Sequence, residues 1–211
     1  MNTNVPASPA GPVAPPVPVR QRIVAAARRY FFTNGFRGVT MADLAEELGM
    51  SKKTFYVHFP SKTALLEAVM EHKFAAVEAD LEQVTAAGSE DFLHVLRGLL
   101  ACMQRHTDEL QPAFVRDVRR EAPELFRMAE KRRAAMLQRH FGKLFLEGRR
   151  VGLVRKDLPV RTLVAILLGT TQAIVNPPKL AELGLTVKEG FSAVISVILG
   201  GVLTRQEKGP L

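Results

Sequence analysis

Apolar residues along this chain recur at intervals of three and four, the signature of helices with one buried stripe. Ile23, Ala27 and Phe31, with Ala26 and Tyr30 beside them, predict a first helix over about 20–33, ended by Asn34-Gly35. A long helix over 61–86, opened by Ser61 and closed by Gly88, places Leu65, Leu66 and Val69 early and Phe74, Val77 and Leu81 late. Its two halves would serve two different cores. Phe92, Val95, Leu96, Leu99, Leu100 and Met103 predict a helix over 90–106. A charged helix over 108–120 follows, and then a long one starting at Pro123 and running to about Val151. Proline suits that first turn because its missing N–H would have no helical partner there. The last two segments, 160–175 and 187–204, are apolar around most of their circumference and need burial on two sides. The fold class expected is all-α.

Between the first two long helices lies TMADLAEELGMSKKTFYVHFPSK, residues 40–62. Thr40 with Asp43 three positions on is a capping-box pattern that starts a short helix. Leu44, Ala45 and Leu48 form its apolar face, and Gly49 supplies the left-handed backbone of a tight corner. Ser51 caps a second short helix in which Phe55 and Phe59, four apart, share the buried side. Lys52, Lys53, Thr54, Tyr56 and His58 are left on its outer side, all hydrogen-bond donors or cations. Helix, glycine corner and basic second helix is the helix-turn-helix arrangement that enters the DNA major groove.

Charge sharpens this reading. Residues 20–62 hold eight basic and three acidic side chains, whereas the whole 211-residue chain has 29 Lys and Arg against 21 Asp and Glu. A basic head on a nearly neutral body fits a polyanion bound at one end. Residues 1–19 carry six prolines and no charge, and are expected to be a disordered tail. The single cysteine, Cys102, lies in the apolar run LLACM and reads as core. It excludes an intrachain disulfide framework, and with no secretory signal and no apolar run of spanning length, a cytoplasmic protein is expected.

Arg22-Ile23, Ala26-Ala27, Phe31, Gly35-Phe36, Thr40, Leu44-Ala45, Gly49, Ser51-Lys52, Thr54, Tyr56, His58-Phe59 and Ser61-Lys62 fall where one family has like residues. On these positions the run 22–62 resembles the N-terminal domain of TetR/AcrR transcriptional regulators. Lys53 departs from it, standing where many members carry Gly, and Phe55 stands where an aliphatic residue is commoner. The stretch EGRRVGLVRKDLP, 147–159, also resembles a pattern between late helices of that family. The resemblance implies a tail over 1–19, a DNA-binding domain over 20–66 and an effector-binding and dimerisation domain over 67–211.

It further implies a homodimer through helices about 160–175 and 187–204, binding a pseudo-palindromic operator in double-stranded DNA. Such a protein is expected to be a repressor released by a small hydrophobic or amphipathic ligand. Thr40, Lys52, Tyr56, His58 and Lys62 are then the expected phosphate contacts, with Lys53 and Thr54 at base edges and Ser51 at the helix cap. Leu96, Leu100, Met103, Phe114, Met136, His140, Phe141 and Gln172 are expected around the ligand, with His94, His106 and Asn176 as further polar candidates. No phosphate loop, nucleophile elbow or metal-spaced cluster occurs, so no cofactor, metal or enzymatic activity is expected. A ligand-independent architectural DNA-binding protein is the alternative, with a small helical enzyme behind it.

Overall fold

The first helix opens directly after Pro18 and is closed by Gly35, whose φ of +83° only glycine adopts without strain. This α1 (Val19–Asn34) buries Ile23, Val24, Ala26, Ala27, Phe31 and Phe32 along one stripe. The computed structural model describes residues 17–86 and 91–202, and among them every regular element is helical. After α1 come α2 (Met41–Glu47), α3 (Lys52–His58), α4 (Lys62–Ala86), α5 (Phe92–Asp108), α6 (Pro112–Glu121), α7 (Pro123–Arg150), α8 (Val160–Ile174), α9 (Pro177–Leu183) and α10 (Val187–Val202). The proline tail through residue 16, Gly88 and the last two residues of the helix expected over 187–204 lie outside the described residues.

Two apolar cores divide the molecule. The head core gathers α1, the corner helices and the start of α4, centred on Phe31, Leu44, Phe55, Phe59, Leu65 and Leu66, all fully buried. The body core gathers Phe74, Val77 and Leu81 of α4 with α5, α7, α8 and α10. Met70 of α4 packs against both. One 25-residue rod therefore belongs to each core in turn.

Two features depart from the pattern along the chain. The charge-rich helix α6 is strongly amphipathic, and its Phe114 and Val118, with Ala122 just after it, join the head core although they follow α5 in sequence. The helix α9 falls between the segments expected to be helical over 160–175 and 187–204, where no element is expected. Asn176 caps it through Lys179 N at 3.1 Å, with proline in the first turn and Gly184 (φ +64°) at its end.

The 147–159 stretch proves to be a structural clasp. Gly148 brings α7 against Phe92 and Val154, where a Cβ would sit 2.5 and 2.7 Å from side-chain carbons. Arg155 then donates from its backbone to the Val202 carbonyl at 3.0 Å and from Nη1 to Gly201 at 3.0 Å. The loop thereby caps the C-terminal carbonyls of α10.

Candidate nucleic-acid interface and the adjoining cavity

The corner is built by reciprocal capping. Thr40 Oγ1 accepts from Asp43 N at 3.1 Å, and Asp43 Oδ2 accepts from Thr40 N at 2.9 Å. The Thr40 backbone N–H, helped by the Thr40 side chain, holds the Asp43 carboxyl below the ordinary carboxylate range. Gly49 turns the chain at φ +61°, and Ser51 Oγ accepts from Thr54 N at 3.1 Å to begin α3. Phe55 and Phe59 anchor α3 from below. With its inner side fixed, Ser51, Lys52, Lys53, Thr54, Tyr56 and Val57 are exposed together, and His58 is half-buried. Neither lysine has an acid partner among the described residues.

Two predicted contact residues have additional duties. Thr54 Oγ1 lies 2.9 Å from Ser51 Oγ, so both hydroxyls already serve the cap. Lys62 is folded back over the Phe36 ring, 4.4 Å from its centroid, and reaches the Arg37 carbonyl at 3.5 Å. Burial lowers its pKa, opposed by Asp117 and Glu121. Val57, 76 % exposed on the same face, adds to the expected contact residues. The signal for it was its place two residues after the buried Phe55, about 200° round the helix and so on the outer side.

Where α6 crosses between head and body, a mainly apolar cavity of about 150 Å3 opens. Its walls include Phe74, Met103, Phe114, Val118, Phe126 and Met136, so Met103, Phe114 and Met136 of the predicted set come together there. Leu96, Leu100 and Phe141 are packed in the body core away from this lining. His140 is buried against Glu78 (2.8 Å), and Gln172 reaches Glu130, itself a wall residue, at 2.5 Å. Asn176 caps α9, and His94 faces a separate shallow groove on α4 and α5.

Polar groups converge on one side of the cavity. Lys73 and His106, both buried, line it with Arg133 and Glu130. Lys73 Nζ is 2.6 Å from Glu109 Oε2 and 2.9 Å from His106 Nδ1, while Glu109 also holds Arg28 of α1 at 2.5 Å. Burial, reinforced by Lys73, lowers the pKa of His106 and keeps it neutral. Burial likewise lowers Lys73, against the pull of Glu109. For Glu109, burial pushes upward, but Lys73 and Arg28 together outweigh it and hold the carboxyl down.

Comparison with known proteins agrees with the corner. Residues 23–69 match the family model of bacterial regulatory proteins, tetR family. This chain is a TetR-family transcriptional regulator. Among curated relatives, the repressor DhaR of Mycobacterium sp. is 26 % identical over 90 % of this chain and 95 % of its own. The match to the regulator YerO of Bacillus subtilis is 38 % identical but spans 29 % of this chain and 24 % of YerO. That to YvkB of the same organism spans 56 % of YvkB. Two solved structures share the whole-chain fold. A transcriptional regulator from Saccharomonospora viridis in complex with choline has a TM-score of 0.72 at 19 % identity, covering 88 % of this chain and 98 % of that one. Thermus thermophilus FadR, a repressor in complex with lauroyl-CoA, has a TM-score of 0.60 at 21 % identity, covering 91 % and 99 %.

In this TetR-family regulator the cavity and the DNA-facing head share α6. Phe114 packs on Phe32 of α1, ring centroids 4.8 Å apart, and also forms cavity wall. One turn on, Asp117 Oδ2 accepts from the Arg37 backbone N–H at 2.9 Å, at the corner between α1 and α2. Gln111 N donates to the Phe32 carbonyl at 3.2 Å. Asp80, Cys102 and His106 bring three metal-ligand atoms within 4.8 Å. Lys73 donates to Nδ1 of the neutral imidazole, however, so its proton lies on Nε2, which donates to Asp80 at 2.8 Å. That tautomer has no free nitrogen for an ion.

Proposed function

We propose that the chain is a homodimeric, sequence-specific DNA-binding repressor, released from a pseudo-palindromic operator by a small hydrophobic or amphipathic ligand. The observation that carries this reading is α3: a buried Phe55–Phe59 keel with an exposed face of Lys52, Lys53, Thr54, Tyr56 and Val57. Lys52, Tyr56 and His58 contact phosphates, with Thr40 and Ser51 adding hydroxyls at the two helix starts. Lys62 contacts phosphate after leaving Phe36. Lys53 and Thr54 read base edges, and Val57 packs against a thymine methyl. Work on chromosomal DNA places the protein in the cytoplasm; no helix among the described residues is long and apolar enough to cross a membrane.

Dimerisation uses the outward faces of α8 and α10. Ala165, Ile166, Gly169 and Ala173 form an exposed stripe on α8, and Ala193, Ser196, Val197 and Gly200 form one on α10. A Cβ at Gly169 or Gly200 would touch nothing within 4 Å in this subunit, so their smallness serves a neighbour. Two such helices from each subunit make a four-helix interface, which sets two α3 helices for successive half-sites. The cavity is the effector site, and α6 conveys its occupancy to the head.

Selection of duplexes by the purified protein identifies the operator. Lys52→Ala is expected to weaken operator binding and to lower the salt slope by about one, and Lys53→Ala to weaken binding and relax the choice of base it reads. Unchanged affinity and slope in both would remove α3 as the interface. An effector affinity identical with and without operator would remove the ligand-released mechanism, since coupling between sites is reciprocal.

A further inference from the structure

The cavity is set apart from an ordinary packing void by the lysine in its wall. The Lys73 side chain is 7 % exposed, against 34 % for Glu109 and 25 % for Arg28 beyond it. Glu109 and Arg28 can turn outward and exchange each other for water, whereas Lys73 has no such route. A buried ammonium must keep an anionic or polar partner. The carboxylate now beside it is thus replaceable by another carboxylate, which alone restores both the charge and the hydrogen bond.

We propose that the cavity takes a small organic acid, one ring or a short chain bearing a carboxylate, which displaces Glu109 from Lys73 and so shifts the carboxylate that ties Arg28 of α1 to the body. This inference rests on reading the cavity as the effector site. The other charged pair facing the cavity is already satisfied. Glu130 lies 3.3 Å from Arg133 and accepts from Gln172 at 2.5 Å, so a cationic ligand would find no open carboxylate. His106 is neutral and its Nδ1 is taken by Lys73. Size points the same way, because the volume is about 150 Å3 and an apolar cavity of about that volume holds benzene. Glu109 is the shared joint. It reaches α4 through Lys73 and α1 through Arg28, so the ion that leaves Lys73 also alters the head.

The test titrates the full chain calorimetrically with phenylacetate, phenylacetamide and phenethylamine, which share a ring and differ in charge. Phenylacetate is expected to bind at least about tenfold more tightly than the amide or the amine, the worth of one charge-assisted hydrogen bond. Lys73→Met should remove that preference. Glu109→Gln should tighten phenylacetate binding severalfold by removing the competitor, an increase that mere damage to the fold would not produce. In the same preparations, phenylacetate and Glu109→Gln should each weaken binding of the selected operator. Equal binding of the amide or the amine, no binding of any of the three, or weaker acid binding in Glu109→Gln would overturn the proposal. Acid-selective binding that leaves operator affinity unchanged would overturn the displacement switch and the ligand-released mechanism together, while the charge preference of the site would stand.

Discussion

Replacing Phe114 by alanine tests whether head and body are one cooperative unit. Phe114 is 3 % exposed and belongs to the head core, while one edge forms wall of the cavity. Truncating a buried phenylalanine costs about 3–5 kcal/mol from lost transfer energy and the void left behind. Here the lower end applies, about 3 kcal/mol, because the face toward the cavity already lacks packing partners. At this chain length that is a fall in Tm of about 6–12 °C. The shape of the transition is more telling than its midpoint. Without the ring on Phe32, the head keeps α4, Val118 and Ala122 in its core, the Gln111–Phe32 backbone bond, the Glu109–Arg28 pair and the Asp117–Arg37 bond among its links to the body. Scanning calorimetry of Phe114→Ala should therefore show the head melting ahead of the body. Phe141→Ala, a fully buried truncation confined to the body core, should cost as much or more yet broaden nothing at the head. A single two-state transition for Phe114→Ala, within about 1 kcal/mol of the parent, would refute the keystone role assigned to this ring.

Three further outcomes are expected. Gly148→Ala should destabilise by about 1–2 kcal/mol in urea melts despite a better helix propensity, because its Cβ would meet Phe92 and Val154; unchanged stability would mean the clasp has slack. His106 and His140 are both held below the usual imidazole pKa of 6.5, chiefly by burial, so the unfolded chain protonates first as pH falls. Their contribution is full above 6.5 and drains away below it; melts from pH 7.5 to 5 should show the decline, and the pair His106→Gln and His140→Gln should flatten it. Val197→Glu puts a charge on the outward face of α10 and should weaken self-association about a hundredfold or more in sedimentation, with operator binding lost alongside; a dimer of normal strength would move the interface elsewhere.

The head was legible in the sequence because its determinants are local. Thr40 with Asp43, Gly49 and Ser51 with Thr54 act within three or four residues, and Phe55 and Phe59 share one helix face. The body helices were legible from period alone, apart from α9, whose seven residues are too few to show a period. Long-range polar pairing was not legible. Lys73 meets residues 33 and 36 positions away, and Glu109 meets Arg28 across 81. One signal was available: Lys73 interrupts the apolar stripe of Leu66, Val69 and Val77, and a charge inside such a stripe needs a partner. Six of the eight expected ligand-lining residues rest on apolar character, which cannot separate a wall such as Met136 from a packed side chain such as Phe141, since both are buried.

On the proposed mechanism, α6 rather than α4 is the element that carries a signal between head and body. A continuous helix in both cores can only tilt as a whole, and its buried stripe resists sliding because packed interiors are bistable rather than compliant. By contrast α6 is ten residues long and touches the cavity through Phe114, Val115 and Val118 on one side. On the other it holds the α1–α2 corner through Asp117. Its contacts with the cavity are apolar and yield to volume; its contact with the corner is directional and does not. The proposed effector would therefore move the corner by displacing α6 as it swells the cavity, while the exchange at Lys73 would loosen α1 beside it. Volume and charge would then act on the head together, and a neutral compound that fills the cavity would supply only the first.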